Sequence, residues 1–286
     1  MKYLINFSTF ILNEGGKAVP GVRSIRQDEV PKTIENIKQI AFPLLGLKAF
    51  DVDAILIGSA GRKANSGDLS GDLDIGVVLG VDKTTAKNII HDKLKTLPYE
   101  IKFMSGLGIT SIKWPIEGDQ SKGFVQVDFI AIESMEWAKF AFYSPDYRKN
   151  ESKYKSAHRN WLFAAIMSVI KENVIKDENG NILQYDAYIY NWNEGLKKVT
   201  KSFEGSKGGL IKTHKKIKEE LLTVSPKDFL ELAFGPGYIE DSVKTFEQVW
   251  DIVNGPNFKW REHKEEIKMM LVKFLQRVDL PIPNEI

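Results

Sequence analysis

The 286-residue sequence predicts an α+β protein, a small mixed β-sheet with helices followed by a mainly helical region. Three observations predict this class. Short apolar runs stopped by glycine recur up to Ile132, amphipathic helix patterns are interleaved with them, and helical spacing takes over after Glu133.

Taken in order, Tyr3 to Leu12 reads as a short first strand ended by the turn residues Glu14-Gly15-Gly16. Lys2 and the apolar residues after it loosely imitate a signal peptide. Asn6, Ser8 and Thr9 interrupt that run, and no small-x-small cleavage site follows it. Residues 13–31 form an irregular connection, after which Pro31 fits the first turn of a helix with Ile34, Ile37, Ile40 and Ala41 on its apolar face. Asp53 to Gly58 is a buried strand, and Gly58-Ser-Ala-Gly-Arg-Lys63 is too rich in glycine to continue it. Leu73 to Leu79 is a second strand, and Asp82 caps a helix carrying Ala86, Ile89, Ile90 and Leu94. β-Like stretches at Tyr99–Met104 and Ile109–Ile116 lead to Gly123–Ile132, which alternates in part and is rich in β-formers. Beyond it, Trp137, Phe140 and Ala141, then Trp161, Leu162, Ala165, Ile166, Val169 and Ile170, fall at helical spacing. Gly205–Gly209 and Gly235-Pro-Gly237 divide the second part into several helices, of which Glu262–Val278 is the last. The boundary falls near Trp137, giving parts 1–137 and 138–286.

Composition narrows the function. With 43% hydrophobic and 27% charged residues, wholesale disorder is excluded. The 40 basic and 38 acidic residues leave a net charge of +2, too little for a histone-like or membrane-coating protein, so any basic patch is local. The absence of cysteine removes disulfides, Cys-zinc sites, iron–sulfur clusters and thiol nucleophiles together, and fits a reducing, cytoplasmic setting. The longest clean apolar stretch, Trp161–Ile170, is about half the roughly 20 residues that span a bilayer, so a soluble protein without a membrane partner is expected.

The chemistry concentrates in carboxylates. In an extended Asp72–Val78, the two-residue period puts Asp72 and Asp74 on one side while Leu73, Ile75 and Val77 point into the core. Two like charges so placed repel, and a divalent cation stabilises such a pair in its ionised form. Oxygen-only ligands favour Mg²⁺ or Mn²⁺. Asp128, flanked by Val127 and Phe129, is a third acid in an apolar strand, and its burial is costly without a partner. On a neighbouring strand it would complete a cluster able to hold two ions for phosphoryl or nucleotidyl displacement. Asp68 also precedes a leucine, but Ser70 stands where a second acid would have to be, so Asp68 reads as a loop residue.

A Gly-Ser turn, Asp-x-Asp on a strand and a later apolar-Asp-apolar strand together resemble the nucleotidyltransferase superfamily of DNA polymerase beta. Ser66-Gly-Asp-Leu-Ser-Gly-Asp-Leu-Asp74 is similar to the Ser-Gly-Asp-x-Asp form of family X polymerases. Over nearly the whole chain the likeness is to nucleotidyltransferases encoded by tailed bacteriophages. It is carried by Glu14-Gly-Gly, Gly58-Ser-x-Gly-Arg-Lys63, Gly123-Phe-Val-Gln-x-Asp128-Phe, Ser152-x-Tyr-Lys-x-x-His-Arg-Asn160 and the region of Phe234-Gly-Pro. The duplicated Gly-Asp-Leu unit lengthens the loop before the paired acids, a departure from that pattern.

The resemblance implies a catalytic domain over 1–137 and a helical domain over 138–286 that closes on nucleotide. It implies that Asp72, Asp74 and Asp128 hold two Mg²⁺ or Mn²⁺ ions and that Gly58 and Ser59 receive the triphosphate of an NTP such as ATP. Arg62 or Lys63 would neutralise charge nearby, a solvated role being the alternative for each, and by the resemblance Lys155, His158 and Arg159, which helical spacing puts on one face, would meet the phosphates from the second domain. A charged helix face covering the core explains that last trio equally from the residues alone. A P-loop is absent, and Gly106-Leu-Gly108 is too short a signal for a dinucleotide fold.

Eight lysines lie between Lys197 and Lys218 with Glu204 the single acid among them, a composition that suits either a polyanion site or a solvated loop. Tyr185, Tyr188, Tyr190 and Trp192 precede them, as base-stacking or packing residues. The expected activity is transfer of an NMP or dNMP to an acceptor hydroxyl with release of pyrophosphate, the acceptor being a nucleic-acid 3′ end such as tRNA or DNA. Nucleotidylation of a small molecule or a protein, and a non-catalytic nucleic-acid adaptor, are the alternatives.

Overall fold

The structure, a computed structural model, describes residues 18–47, 56–58, 60, 67–105, 108–145, 149, 151–204 and 213–286. The expected first strand at Tyr3–Leu12 lies outside them, as do Ser59, Arg62, Lys63 and the Gly205–Gly209 segment. Mixed α and β structure with several sheets is what the described residues form. The chain divides into two compact units, Met1–Glu151 and Ser152–Ile286.

In the first unit, β1 (Ile25–Arg26) pairs with β3 (Leu69–Ser70) as a small ribbon. The main sheet has five strands, β2 (Leu56–Ile57), β4 (Asp72–Val77), β5 (Ile101–Met104), β6 (Ile109–Pro115) and β7 (Phe124–Ala131), in the order β2-β4-β7-β6-β5. β4 and β7 run parallel, while the other neighbours are antiparallel. One face of this sheet presents Leu73, Ile75, Val77, Val127, Phe129, Ile112 and Trp114 to helices α1 (Val30–Leu45) and α2 (Lys83–Leu94) in a single core.

The helix boundaries follow local chemistry. Pro31 sits in the first turn of α1, and Gly46 ends it in the left-handed conformation, with its N–H returning to the Phe42 and Pro43 carbonyls. Asp82 caps α2 by accepting the Thr85 N–H at 3.1 Å. α3 (Met135–Ala141) covers part of the other sheet face, where Ala138 joins Ile57, Ile109, Ile130 and Ile132. That packing keeps α3 in the first unit, so the division comes after Glu151 and not at Trp137.

The second unit departs from the expectation of a mainly helical domain. It holds α4 (Ser156–Val169), α5 (Pro226–Phe234), α6 (Phe246–Asn254) and α7 (Lys264–Arg277), but also a four-stranded antiparallel sheet. β8 (Lys171–Lys176), β9 (Ile182–Asn191), β10 (Gly195–Glu204) and β11 (Thr213–Thr223) succeed one another as a meander. Tyr, Ile, Val and Thr favour these strands, yet lysines occupy many alternate positions, which erased the apolar two-residue period by which strands are read. α4 is buried nearly all round, with Tyr190 of β9 against Phe163 and its hydroxyl donating to Asn160 Oδ1 at 2.9 Å. Among the described residues no helix is long and apolar enough to cross a membrane.

Candidate metal centre

The parallel pairing of β4 with β7 sets Asp74 directly beside Asp128 and Asp72 beside Gln126. Because side chains alternate, the apolar residues between them go to the helix-covered face and these four polar side chains share the opposite one. Asp72, Asp74 and Asp128 each offer a carboxylate oxygen, and these oxygens lie within 4.8 Å of one another. Asp68 is outside the cluster. Its carbonyl instead accepts the Gln27 N–H at 2.8 Å as the chain enters β3.

Asp128 is the buried member, 4% exposed. Burial, and then the charge of Asp72, push its carboxyl up to about 7. Gln126 and Ser111 oppose that rise. Ser111 sits opposite Asp128 on β6; its fully buried hydroxyl approaches the carboxylate without reaching regular hydrogen-bond geometry.

Gln126 has its amide orientation fixed by its partners. Its Oε1 accepts the backbone N–H of Ala18 at 2.8 Å and of Val19 at 3.3 Å, groups that can only donate. Its Nε2 must therefore face Asp128, donating at 3.1 Å and 3.0 Å to the two carboxylate oxygens. The side chain ties the entering chain to β7 and fixes the rotation of the buried acid. Sequence reasoning missed this role, although Gln126 lies two residues before Asp128 and so shares its face.

Gly58 follows β2 at the edge of the cluster. Its φ of +77° lies in the left-handed region, and a Cβ there would meet Asp74 Oδ2 at 2.3 Å. The backbone conformation favours glycine, and a Cβ would in addition displace the Asp74 carboxylate.

The remaining sequence-predicted residues lie in the second unit. Lys155 is exposed at the N-cap of α4. His158 and Arg159 are buried, at 2% and 1% exposure, and do not form a solvent-facing cationic set with it. His158 Nε2 donates to the Pro281 carbonyl at 3.0 Å, and burial lowers its pKa below the ordinary histidine value, leaving it neutral at pH 7. Arg159 Nη1 donates to the Lys244 carbonyl at 3.3 Å, and its guanidinium lies 5.4 Å from the Phe163 ring centre. Both side chains are engaged in the packing around α4.

Three carboxylates with hard oxygen donors, one of them raised to about 7 by its burial and then by a neighbouring acid, fit a metal cation. No protein-family model, curated protein or solved structure matches the chain.

Proposed function

We propose that the chain is a metal-dependent nucleotidyltransferase that transfers an NMP or dNMP from a nucleoside triphosphate to an acceptor hydroxyl. The observation that carries this reading is the convergence of Asp72, Asp74 and Asp128, remote in sequence, on one face of adjacent parallel strands. The strand-to-turn junction at Gly58, closed against Asp74, supports it. The reaction joins the acceptor oxygen to the α-phosphorus, breaks the bond to the bridging oxygen of the β-phosphate and releases pyrophosphate.

Asp72, Asp74 and Asp128 would hold Mg²⁺ or Mn²⁺, which when bound supplies charge neutralisation and lowers the pKa of an acceptor hydroxyl. Gln126 keeps both oxygens of Asp128 oriented, and burial of that strand excludes water from its carboxylate. Ser59, Arg62 and Lys63, outside the described residues, are the expected triphosphate contacts. A nucleic-acid 3′ end is the proposed acceptor, in a cytoplasmic setting.

The test supplies α-labelled NTPs and dNTPs singly with Mg²⁺ or Mn²⁺ and offers RNA, tRNA, DNA, small molecules and protein extract as acceptors. Label on a nucleic acid supports the full reading. Label on a small molecule or on protein keeps the transferase and replaces its acceptor. No transfer with any pair, from protein that binds Mn²⁺, rejects the activity.

A further inference from the structure

A row of three lysines and a tyrosine crosses the four-stranded sheet of the second unit, and two of the lysines lack a carboxylate partner among the described residues. Residues directly opposite one another in an antiparallel pair share a face. Tyr185 of β9 is opposite Lys201 of β10, and Lys201 is opposite Lys216 of β11. Lys171 of β8 is opposite Ala187, two residues from Tyr185 and on the same side again. The Lys171 Nζ lies 5.8 Å from the Tyr185 ring centre and the Lys201 Nζ 5.7 Å from it, so a single ring attracts two ammonium groups. The row thus crosses all four strands.

The rest of the sheet treats its lysines differently. Lys197 pairs with Glu194 and Glu219, Lys198 with Asp186, and Lys218 with Glu220. Within the row, Lys216 shares Glu219 with Lys197. Lys171 and Lys201 have no carboxylate partner among the described residues. Lys201 is also held below the ordinary lysine value, by its burial and then by Lys171. Like charges side by side on a sheet destabilise it. A sheet that neutralises its cations elsewhere and leaves Lys171 and Lys201 facing each other across Tyr185 is complementary to an external anion.

The size of the row selects among anions. At about 4.8 Å per strand interval, Lys171 to Lys216 spans three intervals, about 14 Å. Phosphates recur at about 3.4 Å per nucleotide along a duplex strand, so the row matches a run of phosphates better than a single one. The opposite face, with Tyr190, lies against α4, so the row faces away from that helix.

We infer that this sheet face binds the phosphodiester backbone of a nucleic-acid strand. Lys171, Lys201 and Lys216 contact phosphates, and Tyr185 fixes the ammonium groups beside it. The binding stands by itself. It rests on the proposed function only in making that strand the acceptor.

The test is fluorescence anisotropy of the full chain with a labelled single-stranded oligonucleotide, as RNA and as DNA, without divalent metal or NTP, across a salt series. Lys171→Gln and Lys201→Met, the latter keeping the half-buried stem, should each weaken binding on the order of 10-fold at low salt. Each should also flatten the log–log salt dependence by about 0.7. Tyr185→Phe should retain binding and Tyr185→Leu weaken it. Lys93→Gln, an equal charge change on exposed α2, should do nothing. Melting temperatures confirm that each variant is folded. Because the assay contains neither metal nor NTP, its outcome is independent of nucleotidyl transfer, which separates failure of this inference from failure of the transferase reading. Unchanged affinity and salt slope in both lysine variants would overturn the inference, as would inorganic triphosphate competing as well as the unlabelled strand.

Discussion

The two main sheets solve opposite electrostatic problems. The five-stranded sheet buries β7 on both faces and gathers three acids where the strands meet, whereas the four-stranded sheet sets Tyr190 against α4 and carries Lys171, Lys201 and Lys216 on the side opposite Tyr190. Opposite charges pair elsewhere in each unit, Arg23 with Glu29 in one and Lys198 with Asp186 in the other. Each also gathers side chains of like charge, the three acids in the first and Lys171 with Lys201 in the second. The difference teaches where to look for ligands: a cation for the first sheet and a polyanion for the second.

The sharpest way to break that contrast is to remove the acids. Asp72→Asn and Asp128→Asn should each reduce nucleotidyl transfer on the order of 10³-fold or more with the fold retained, measured as initial rates together with circular dichroism. Undiminished transfer in either variant would remove the acid cluster from the reaction.

A smaller effect is expected one step out. Gln126→Met keeps the side-chain volume but loses the amide that holds Asp128, and should weaken Mn²⁺ binding by about 10–100-fold, read by titration calorimetry. Equal Mn²⁺ affinity in parent and variant would show that Gln126 serves only to anchor Ala18 and Val19.

Gly58→Ala tests the close approach at Asp74. A left-handed backbone and the collision with Oδ2 together predict a loss of about 1–3 kcal/mol in denaturant unfolding. An unchanged midpoint would mean that the turn and the carboxylate move apart freely.

The smallest effect has the opposite sign. Asp128 has a folded pKa of about 7 against an ordinary value of 3.8, so the folded state holds a proton that the unfolded chain has lost between those pH values. Metal-free stability therefore falls as pH rises from about 4 to about 7. Asp128→Asn should abolish that slope and raise the metal-free melting temperature above pH 7. A parent protein whose metal-free melting temperature is flat over that range would contradict the account of Asp128 by burial and like charge.

Much of the first unit was legible because its signals are local. Pro31, Gly46 and Asp82 punctuate helices by backbone chemistry within a turn, and the helix predicted after Asp82 is α2. The sheet of the second unit was missed because a strand whose alternate positions carry lysine has no apolar period, so Gly205–Gly209, which falls between β10 and β11, was taken to separate helices, as Gly235-Pro-Gly237 does after α5. His158 and Arg159 looked like a cationic face because helical spacing fixes which residues align but not which side meets the core.

The sequence by itself determined that Asp72 and Asp74 lie on one side of a strand, since that follows from the two-residue period of a single extended segment. Only the tertiary structure decided that Asp128 is their neighbour, that Gln126 holds it and that Lys171, Tyr185, Lys201 and Lys216 form one row. Periodicity is a property of neighbouring residues, whereas strand order and register are set by burying whole faces, and no local signal encodes which strands become partners.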